Sequence, residues 1–373
     1  MTKIEPIALS SFGDPKHPKT WSGTPSNIAN ALESLGLTVY GIDSSIKRKY
    51  QRRVYWLSHK ILGLGTYDYS RGRFARTHSA GILQAQSKAF GCKKVLHTGT
   101  LDLPIAKLAP EIEHYLFCDS TWNLWAKNAT DIKQYTPKML QIAEELEQES
   151  YKQVKHFFPI SNYVQENLIA HYKINPKQIT VVGSGRGNIE PFTQEKNYRD
   201  GTILFVAKER FADKGGFILL EGFKIAQKDN PGLKLVIVGR DEYRALIGSI
   251  PNVSVTGYIA WEELQNLFNT AALLAMPALN EPWGLVYLEA LACKTPILGL
   301  NRNAFPEITN HGQYGFLVNE PTANNIGEAI LSAFSDLDRL KHMGEAGQKF
   351  CLETFSWKQV ATKIANVMLE ASF

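Results

Sequence analysis

The sequence predicts an α/β chain of two parallel-sheet domains. Three observations carry that expectation. Short apolar runs alternate with amphipathic segments, the pattern in which helices connect parallel strands. The alternation restarts after one polar stretch, Gly183 to Asp200. The length, 373 residues, suits two domains of ordinary size.

Each element has a local reason. In the first series, Ile4 to Ser10 reads as a strand, followed by a loop rich in Gly, Pro and Ser from Ser11 to Pro25. A helix over about Ser26 to Leu35 stops at Gly36, a residue suited to the left-handed cap. Leu37 to Ile42, Lys93 to His97, His114 to Cys118, Phe157 to Ile160 and Ile179 to Val182 read as further strands. The second series opens with the strand Thr202 to Ala207 and the helix Gly216 to Lys228. Leu233 to Gly239 has the length of a buried strand. Val253 to Val255, Leu273 to Met276 and Ile297 to Leu300 follow, and an amphipathic helix over Trp357 to Leu369 closes the chain. The expected domains are therefore 1–185 and 186–355, with 356–373 as a terminal helix. A cleft between two such domains is a preferred ligand site.

Composition excludes several classes. The longest apolar runs are too short to span a bilayer. Met1 to Pro6 lacks the apolar core of a signal peptide, so a cytoplasmic chain is expected. Cys92, Cys118, Cys293 and Cys351 are scattered without metal-type spacing and fit free thiols in a reducing compartment. No nucleic-acid-binding signature is present. The net charge of +5 is uneven. Residues 1–190 hold 24 Lys/Arg against 16 Asp/Glu, and the remainder holds 17 against 20. The basic excess centres on Lys47 to Lys94, and Lys47, Arg48, Lys49, Arg52 and Arg53 lie among aromatic residues. Such a stretch suits an anionic membrane surface or a phosphorylated acceptor; a plain solvated face is the alternative.

Three constellations fall at strand ends, where open α/β sheets bind ligands. Around Glu281-Pro282-Trp283-Gly284-Leu285, one carboxylate sits in a loop and a second, Glu289, lies about two turns into the following apolar helix. The sequence places Pro282 in that helix's first turn, where its missing N–H costs nothing. Two carboxylates beside a helix start, whose N–H groups suit an anion, can hold a polyhydroxylated ligand next to a phosphate. The simpler reading is one exposed and one capping Glu. Lys208 to Gly216 carries Lys208, Arg210 and Lys214, cations that can pair with a diphosphate; a solvated turn is the alternative. Trp21 to Pro25 leads into the first helix, with Gly23 permitting close backbone approach. Farther on, Glu307 sits near a helix start, and Gly312 and Gly315 read as a hairpin-like turn.

Glu281 to Val318 resembles the signature of retaining glycosyltransferases of the GT-B fold, family four. That signature runs Glu-x7-Glu, a Pro-containing strand, a Pro-Glu and a Gly-x-x-Gly-x-Leu-Val segment. Trp21 to Gly36, Lys208 to Gly216 and Ser161 to Gly185 resemble other parts of the same family. The resemblance implies two Rossmann-like domains facing across a cleft, the first for the acceptor and the second for a nucleotide sugar. It also implies transfer of a hexosyl group to a hydroxyl acceptor, with retained configuration, in glycan or glycolipid synthesis.

The same resemblance implies roles. Glu281 would bond the donor sugar and Glu289 the ribose. Lys214, with Lys208 or Arg210, would meet the diphosphate, as would Gly23 and the backbone of Trp283, Gly284 and Leu285. Arg240 and Tyr258 fall where the base is met. The His-Asp usual after the fourth strand is here Cys118-Asp119, leaving Asp119 as the catalytic polar group, with His97 and Trp21 on the acceptor side. The leaving diphosphate would take the acceptor proton, and no metal or other cofactor is expected. The partners implied are a nucleotide-sugar donor, a glycan or lipid-linked acceptor and an anionic membrane surface on the cytoplasmic side. A nucleotide-sugar epimerase or hydrolase on the same fold, and a non-catalytic nucleotide-sugar-binding subunit, stay open as rivals.

Overall fold

The computed structural model describes residues 5–46, 50, 53, 57, 72–105, 107–129 and 132–370. The chain divides into two compact units, Met1–Gly185 with Trp357–Phe373, and Arg186–Ser356.

Among its described residues the first unit holds five parallel strands: β1 (Ile7–Ser11), β2 (Val39–Asp43), β3 (Lys94–Thr98), β4 (Glu113–Cys118) and β5 (Val154–Pro159), in the order β2-β1-β3-β4-β5. Strand β1 is buried along its whole length, as expected when helices cover both faces of a parallel sheet. The described helices are α1 (Thr24–Ser34), α2 (Arg73–Phe90), α3 (Trp122–Asn128), α4 (Pro137–Tyr151) and α5 (Asn162–Ala170). Helix α1 places Pro25 in its first turn, where Pro is tolerated. Helices α3, α4 and α5 start at Thr121, Thr136 and Ser161, whose side chains accept from Leu124, Met139 and Val164 N–H groups.

The second unit holds six parallel strands: β6 (Thr202–Ala207), β7 (Lys234–Gly239), β8 (Val253–Gly257), β9 (Leu273–Ala275), β10 (Ile297–Leu300) and β11 (Gly315–Val318). Their order is β11-β10-β9-β6-β7-β8. Helices α6 (Gly216–Asp229), α7 (Glu242–Ile247), α8 (Trp261–Thr270), α9 (Leu285–Ala292), α10 (Phe305–Ile308), α11 (Ala323–Phe334) and α12 (Leu337–Thr354) follow in chain order. The core includes Phe205, Phe223 and Phe268, each fully buried and contributing roughly 1.5–3 kcal/mol by transfer. Lys196 is buried beneath α8. Its ammonium donates to Phe268 O (2.7 Å), Ala271 O (2.9 Å) and Thr295 Oγ1 (2.5 Å), closing that helix's carbonyl end.

The last helix, α13 (Trp357–Leu369), belongs to the first unit, where it packs on α1. There Lys94 Nζ donates to Met368 O at 2.6 Å. A Cβ on Gly185 would overlap the Trp357 indole, so the glycine permits that close crossing.

Several elements differ from the sequence expectation. Ile179 to Val182 is not a strand. Its amides at Thr180 and Val182 reach Phe157 O and Pro159 O (both 3.0 Å), but the segment forms a single bridge, Phe157 to Ile179. Gly312 and Gly315 do not make a hairpin, because Gly315 opens an edge strand parallel to β10. The strand expected to run to Met276 ends at Ala275. Pro282 is not in a first helical turn. Helix α9 starts at Leu285 after Gly284, so Pro282 lies in the loop and Glu289 is the fifth helical residue, little more than one turn in.

Candidate functional site

In the second unit, the ends of β6, β9 and β7 gather most of the expected ligand-binding residues. The loop after β6 is held by a left-handed Gly215 (φ 80°), where any Cβ would overlap Pro277 O. This close approach lets Asp213 O accept from Leu279 N (2.7 Å) and Asn280 N (3.1 Å). The two loops are thus bonded into one platform. Lys214 Nζ stands 3.2 Å from Glu281 Oε2, and both side chains are mostly buried. Asn303 Nδ2 donates to Glu281 O at 3.1 Å, fixing the loop from the far side.

Arg210 is not the open cation. It sits at φ 59°, donates from Nε to Asp213 Oδ2 (2.7 Å) and from Nη2 to Asn280 O (2.8 Å), and so buttresses the platform. Lys208 is exposed, and its charge acts on Glu289 together with that of Lys214.

Glu289 lies against the backbone of Gly187, where a Cβ would overlap its Oε1. Burial pushes its carboxyl up to about 7, while the charges of Lys208 and Lys214 pull the other way. The start of α9 has no side-chain cap: Gly284 (φ 84°) precedes it. Beside it, Trp283 is buried, packs edge-on against Phe355 (5.8 Å) and has an indole Nε1 without a hydrogen-bond partner among the described residues. A buried N–H left unmade costs about 1–3 kcal/mol. The site therefore presents two lysines and uncapped helix-start amides beside two carboxylates.

At the rim, Arg240 Nη2 meets Glu209 Oε1 at 3.0 Å and the Tyr258 hydroxyl donates to Lys208 O at 3.3 Å. Both expected base-side residues thus adjoin the Lys208 loop. Glu307 lies in the short α10, as its sequence position suggested.

In the first unit, the ends of β1 and β3 carry Trp21, Gly23 and His97. Trp21, Ser22 and Gly23 are three successive left-handed residues (φ 47°, 56° and 83°) that lead into α1. His97 does not face a ligand. It is fully buried, with Nδ1 3.2 Å from Asp102 Oδ2 and Nε2 2.9 Å from His114 Nδ1. The expectation of an acceptor contact at His97 is corrected accordingly. Burial, with the His97 ring beside it, lowers His114 to about 3, so His114 is neutral. Its Nε2 faces the Ala109 carbonyl, which only accepts, so Nδ1 must accept from His97. Ser10 Oγ donates to Asp102 Oδ2 as well, and the chain ties β1, β3 and β4 to the loop after β3. Asp119 is partly exposed at the end of β4; Thr121, not Asp119, caps α3. Arg53 is exposed, whereas Lys47, Arg48, Lys49 and Arg52 lie outside the described residues.

Sequence reasoning missed Gly187, Asp213, Asn303 and the buttressing role of Arg210. The alternating glycines of Gly185-Arg186-Gly187 were a usable signal of close backbone approach.

Two parallel sheets with this topology define a GT-B fold. Its solved neighbours include sucrose-phosphate synthase from Thermosynechococcus elongatus, at TM-score 0.76 and 16% identity over 98% of both chains. Another is Anabaena HepE in complex with UDP and glucose, at TM-score 0.66 and 13% identity over 98% of this chain and all of that one. Residues 188–350, most of the second unit, match the family of glycosyl transferases group 1. Among curated proteins, the chain is 30% identical over 116 residues to alpha-maltose-1-phosphate synthase of Mycolicibacterium smegmatis, covering 30% of each. It is 27% identical over 240 residues to D-inositol 3-phosphate glycosyltransferase of Corynebacterium aurimucosum, covering 57% of this chain and 56% of that one. The chain thus spans between about a third and just over half the length of these two relatives.

Proposed function

We propose that this protein is a retaining glycosyltransferase that moves a hexosyl group from a nucleotide-sugar donor to a hydroxyl of a glycan or glycolipid acceptor. The observation that carries the reading is the pairing of Lys214 with Glu281 beside the open start of α9, with Glu289 and Lys208 alongside. On this reading the diphosphate lies between Lys208, Lys214 and the helix-start amides of Leu285 and its neighbours. The negative charge that develops on the departing diphosphate meets fixed positive charge and N–H dipoles, which need no reorganisation. That charge supply makes a metal unnecessary.

Glu281 accepts hydrogen bonds from the donor sugar's hydroxyls. Glu289 accepts them from the ribose. Arg240 and Tyr258 flank the base. Asp119 is the catalytic polar group of this reading, and the departing diphosphate takes the acceptor proton. The names of two relatives, an alpha-maltose-1-phosphate synthase and a D-inositol 3-phosphate glycosyltransferase, support a phosphate-bearing acceptor. Among the described residues no helix is long and apolar enough to cross a membrane. We assign a cytoplasmic location, with contact to an anionic membrane surface through the basic stretch around Arg53.

The test is a panel of sugar-labelled nucleotide donors incubated with the full chain, with and without glycan and glycolipid acceptors, followed by product analysis. Transfer with the donor's anomeric configuration kept is expected, and Glu281→Ala should abolish it. Epimerised donor without transfer, or unchanged turnover in Glu281→Ala, would sink the proposal.

A further inference from the structure

The second sheet orders the donor residues along one row. Glu281 follows β9, Lys208 and Lys214 follow β6, Arg240 follows β7 and Tyr258 follows β8, and these strands are neighbours in the order β9-β6-β7-β8. The sugar end and the base end of the row are thus opposite, with the diphosphate and ribose between them. Glu209 lies in this row and has no part in the reaction as described above. It comes directly after Lys208, whose charge reaches Glu289 on the ribose side. Its own carboxylate points to the base side, where Oε1 meets Arg240 Nη2 at 3.0 Å.

The base end is drawn together by two glycines, each the last residue of its strand. A Cβ on Gly239 would overlap Ala207 O and the Tyr243 ring, and a Cβ on Gly257 (φ 79°) would overlap the Asp241 carboxylate. The three loops therefore meet: Tyr258 donates to Lys208 O, and its hydroxyl and Glu209 both bear on the Arg240 guanidinium. The Glu209 side chain is 65% exposed, and its second carboxylate oxygen has no partner among the described residues. An exposed ion pair of this kind contributes little to stability, so a ligand can open it and re-pair both members.

Arg240 and Glu209 offer, side by side, a fork of N–H donors and a carboxylate. The nucleobase edge that matches carries an acceptor next to two adjacent N–H donors. Guanine has that edge: O6, then N1–H, then the N2 amine. A carboxylate takes two parallel N–H groups as it takes a guanidinium, and an arginine to O6 or N7 is the commonest specific contact to guanine. Uracil sets one N–H between two carbonyls. Adenine and cytosine set an unprotonated ring nitrogen beside their amine. Against each of these a carboxylate meets a lone pair. The Tyr258 ring, 60% exposed, can stack on any base and so does not choose among them.

We propose that Glu209 is the specificity-determining residue of the base site and that the donor's base is guanine, with N1–H and the N2 amine donating to Glu209 and Arg240 donating to O6. This rests on the glycosyltransferase reading and narrows it: the donor is a guanosine diphosphate sugar.

The experiment is calorimetric titration of the full chain with GDP, UDP, ADP and CDP, and with inosine diphosphate, which keeps N1–H and lacks the N2 amine. GDP should bind at least about 10-fold more tightly than UDP, ADP and CDP, with inosine diphosphate between, since a hydrogen bond to a charged acceptor carries that much. Glu209→Gln should weaken GDP about 10–100-fold and move UDP and ADP by less than about 3-fold. Its Tm should match wild type, because the side chain is exposed. UDP, ADP or CDP binding as tightly as GDP would overturn the proposal and leave the glycosyltransferase reading standing. So would inosine diphosphate matching GDP, or GDP affinity unchanged in Glu209→Gln. Binding of none of the five by wild type would remove the nucleotide-sugar reading, and this proposal with it.

Discussion

Replacing Glu289 by Gln separates what this residue does for the fold from what it does for a ligand. Its carboxyl is raised from 4.5 to about 7 by burial against Gly187, with Lys208 and Lys214 opposing. In the unfolded chain the group ionises near 4.5. Between 4.5 and about 7 the folded protein therefore holds a proton that the unfolded chain has released, so stability falls as pH rises through that window and is level above it. The free-energy cost at pH 8.5 is at most about 3 kcal/mol, from 1.36 kcal/mol per pH unit of displacement. Glutamine has the same shape and no charge, so it removes that cost. Urea unfolding at pH 4.5 and pH 8.5 should show Glu289→Gln gaining up to about 3 kcal/mol on wild type between the two. The same substitution should weaken nucleotide-sugar binding by about 10–100-fold at pH 8.5, since hydrogen bonds to a charged acceptor are worth roughly 1.5–3 kcal/mol. In wild type, affinity for a nucleotide sugar should rise about 10-fold from pH 6 to pH 8 as Glu289 ionises, from the Henderson–Hasselbalch fraction about a group near 7. A stability difference that does not change with pH would refute the buried-carboxyl argument; unchanged affinity would refute the ligand role.

Three other substitutions probe the same unit. Trp283→Phe removes a buried N–H that has no partner among the described residues, so stability should hold or rise by about 1 kcal/mol in urea titration. Lys214→Ala should lower kcat about 10²–10³-fold and, because it leaves the mostly buried Glu281 carboxylate without its partner, should cost about 1–3 kcal/mol of stability. Gly215→Ala forces a Cβ into a left-handed residue and onto Pro277 O; differential scanning calorimetry should show a loss of at least about 1–2 kcal/mol.

The strands most legible in the sequence are those buried on both faces. Ile203 to Ala207 and Ile297 to Leu300 are short runs without a polar side chain, and the structure's strands, Thr202–Ala207 and Ile297–Leu300, match the expected bounds. Ile179 to Val182 misled because its residues suit a strand. The segment does run beside β5, but it makes too few bonds to extend the sheet. Within the site, Glu281, Glu289 and Lys214 were legible because each follows a strand at short range. The choice between Lys208 and Arg210 was not, since it turns on one backbone angle. At φ 59° Arg210 folds back onto Asp213 and Asn280, a geometry no residue-type pattern encodes. Gly187 was hidden for a related reason: its partner, Glu289, lies far along the chain.

The bare site explains why two carboxylates can stand beside a proposed diphosphate site without defeating it. Lys214 is held by Glu281 at 3.2 Å, so neither charge is left unpaired before a ligand arrives. An arriving diphosphate competes for Lys214, and Glu281 would be stranded were nothing else offered. The donor sugar's hydroxyls are what is offered. They give Glu281 new hydrogen-bond donors as Lys214 turns to phosphate, so the exchange conserves partners on both sides. A nucleoside diphosphate without its sugar supplies only half of that exchange. It should therefore bind more weakly than the intact donor, and Glu281→Gln, which loosens the hold on Lys214, should narrow the difference. If Glu281→Gln instead leaves the ratio of the two affinities unchanged in calorimetric titrations, Glu281 does not trade Lys214 for the sugar, and the pair is only a structural tie between two loops.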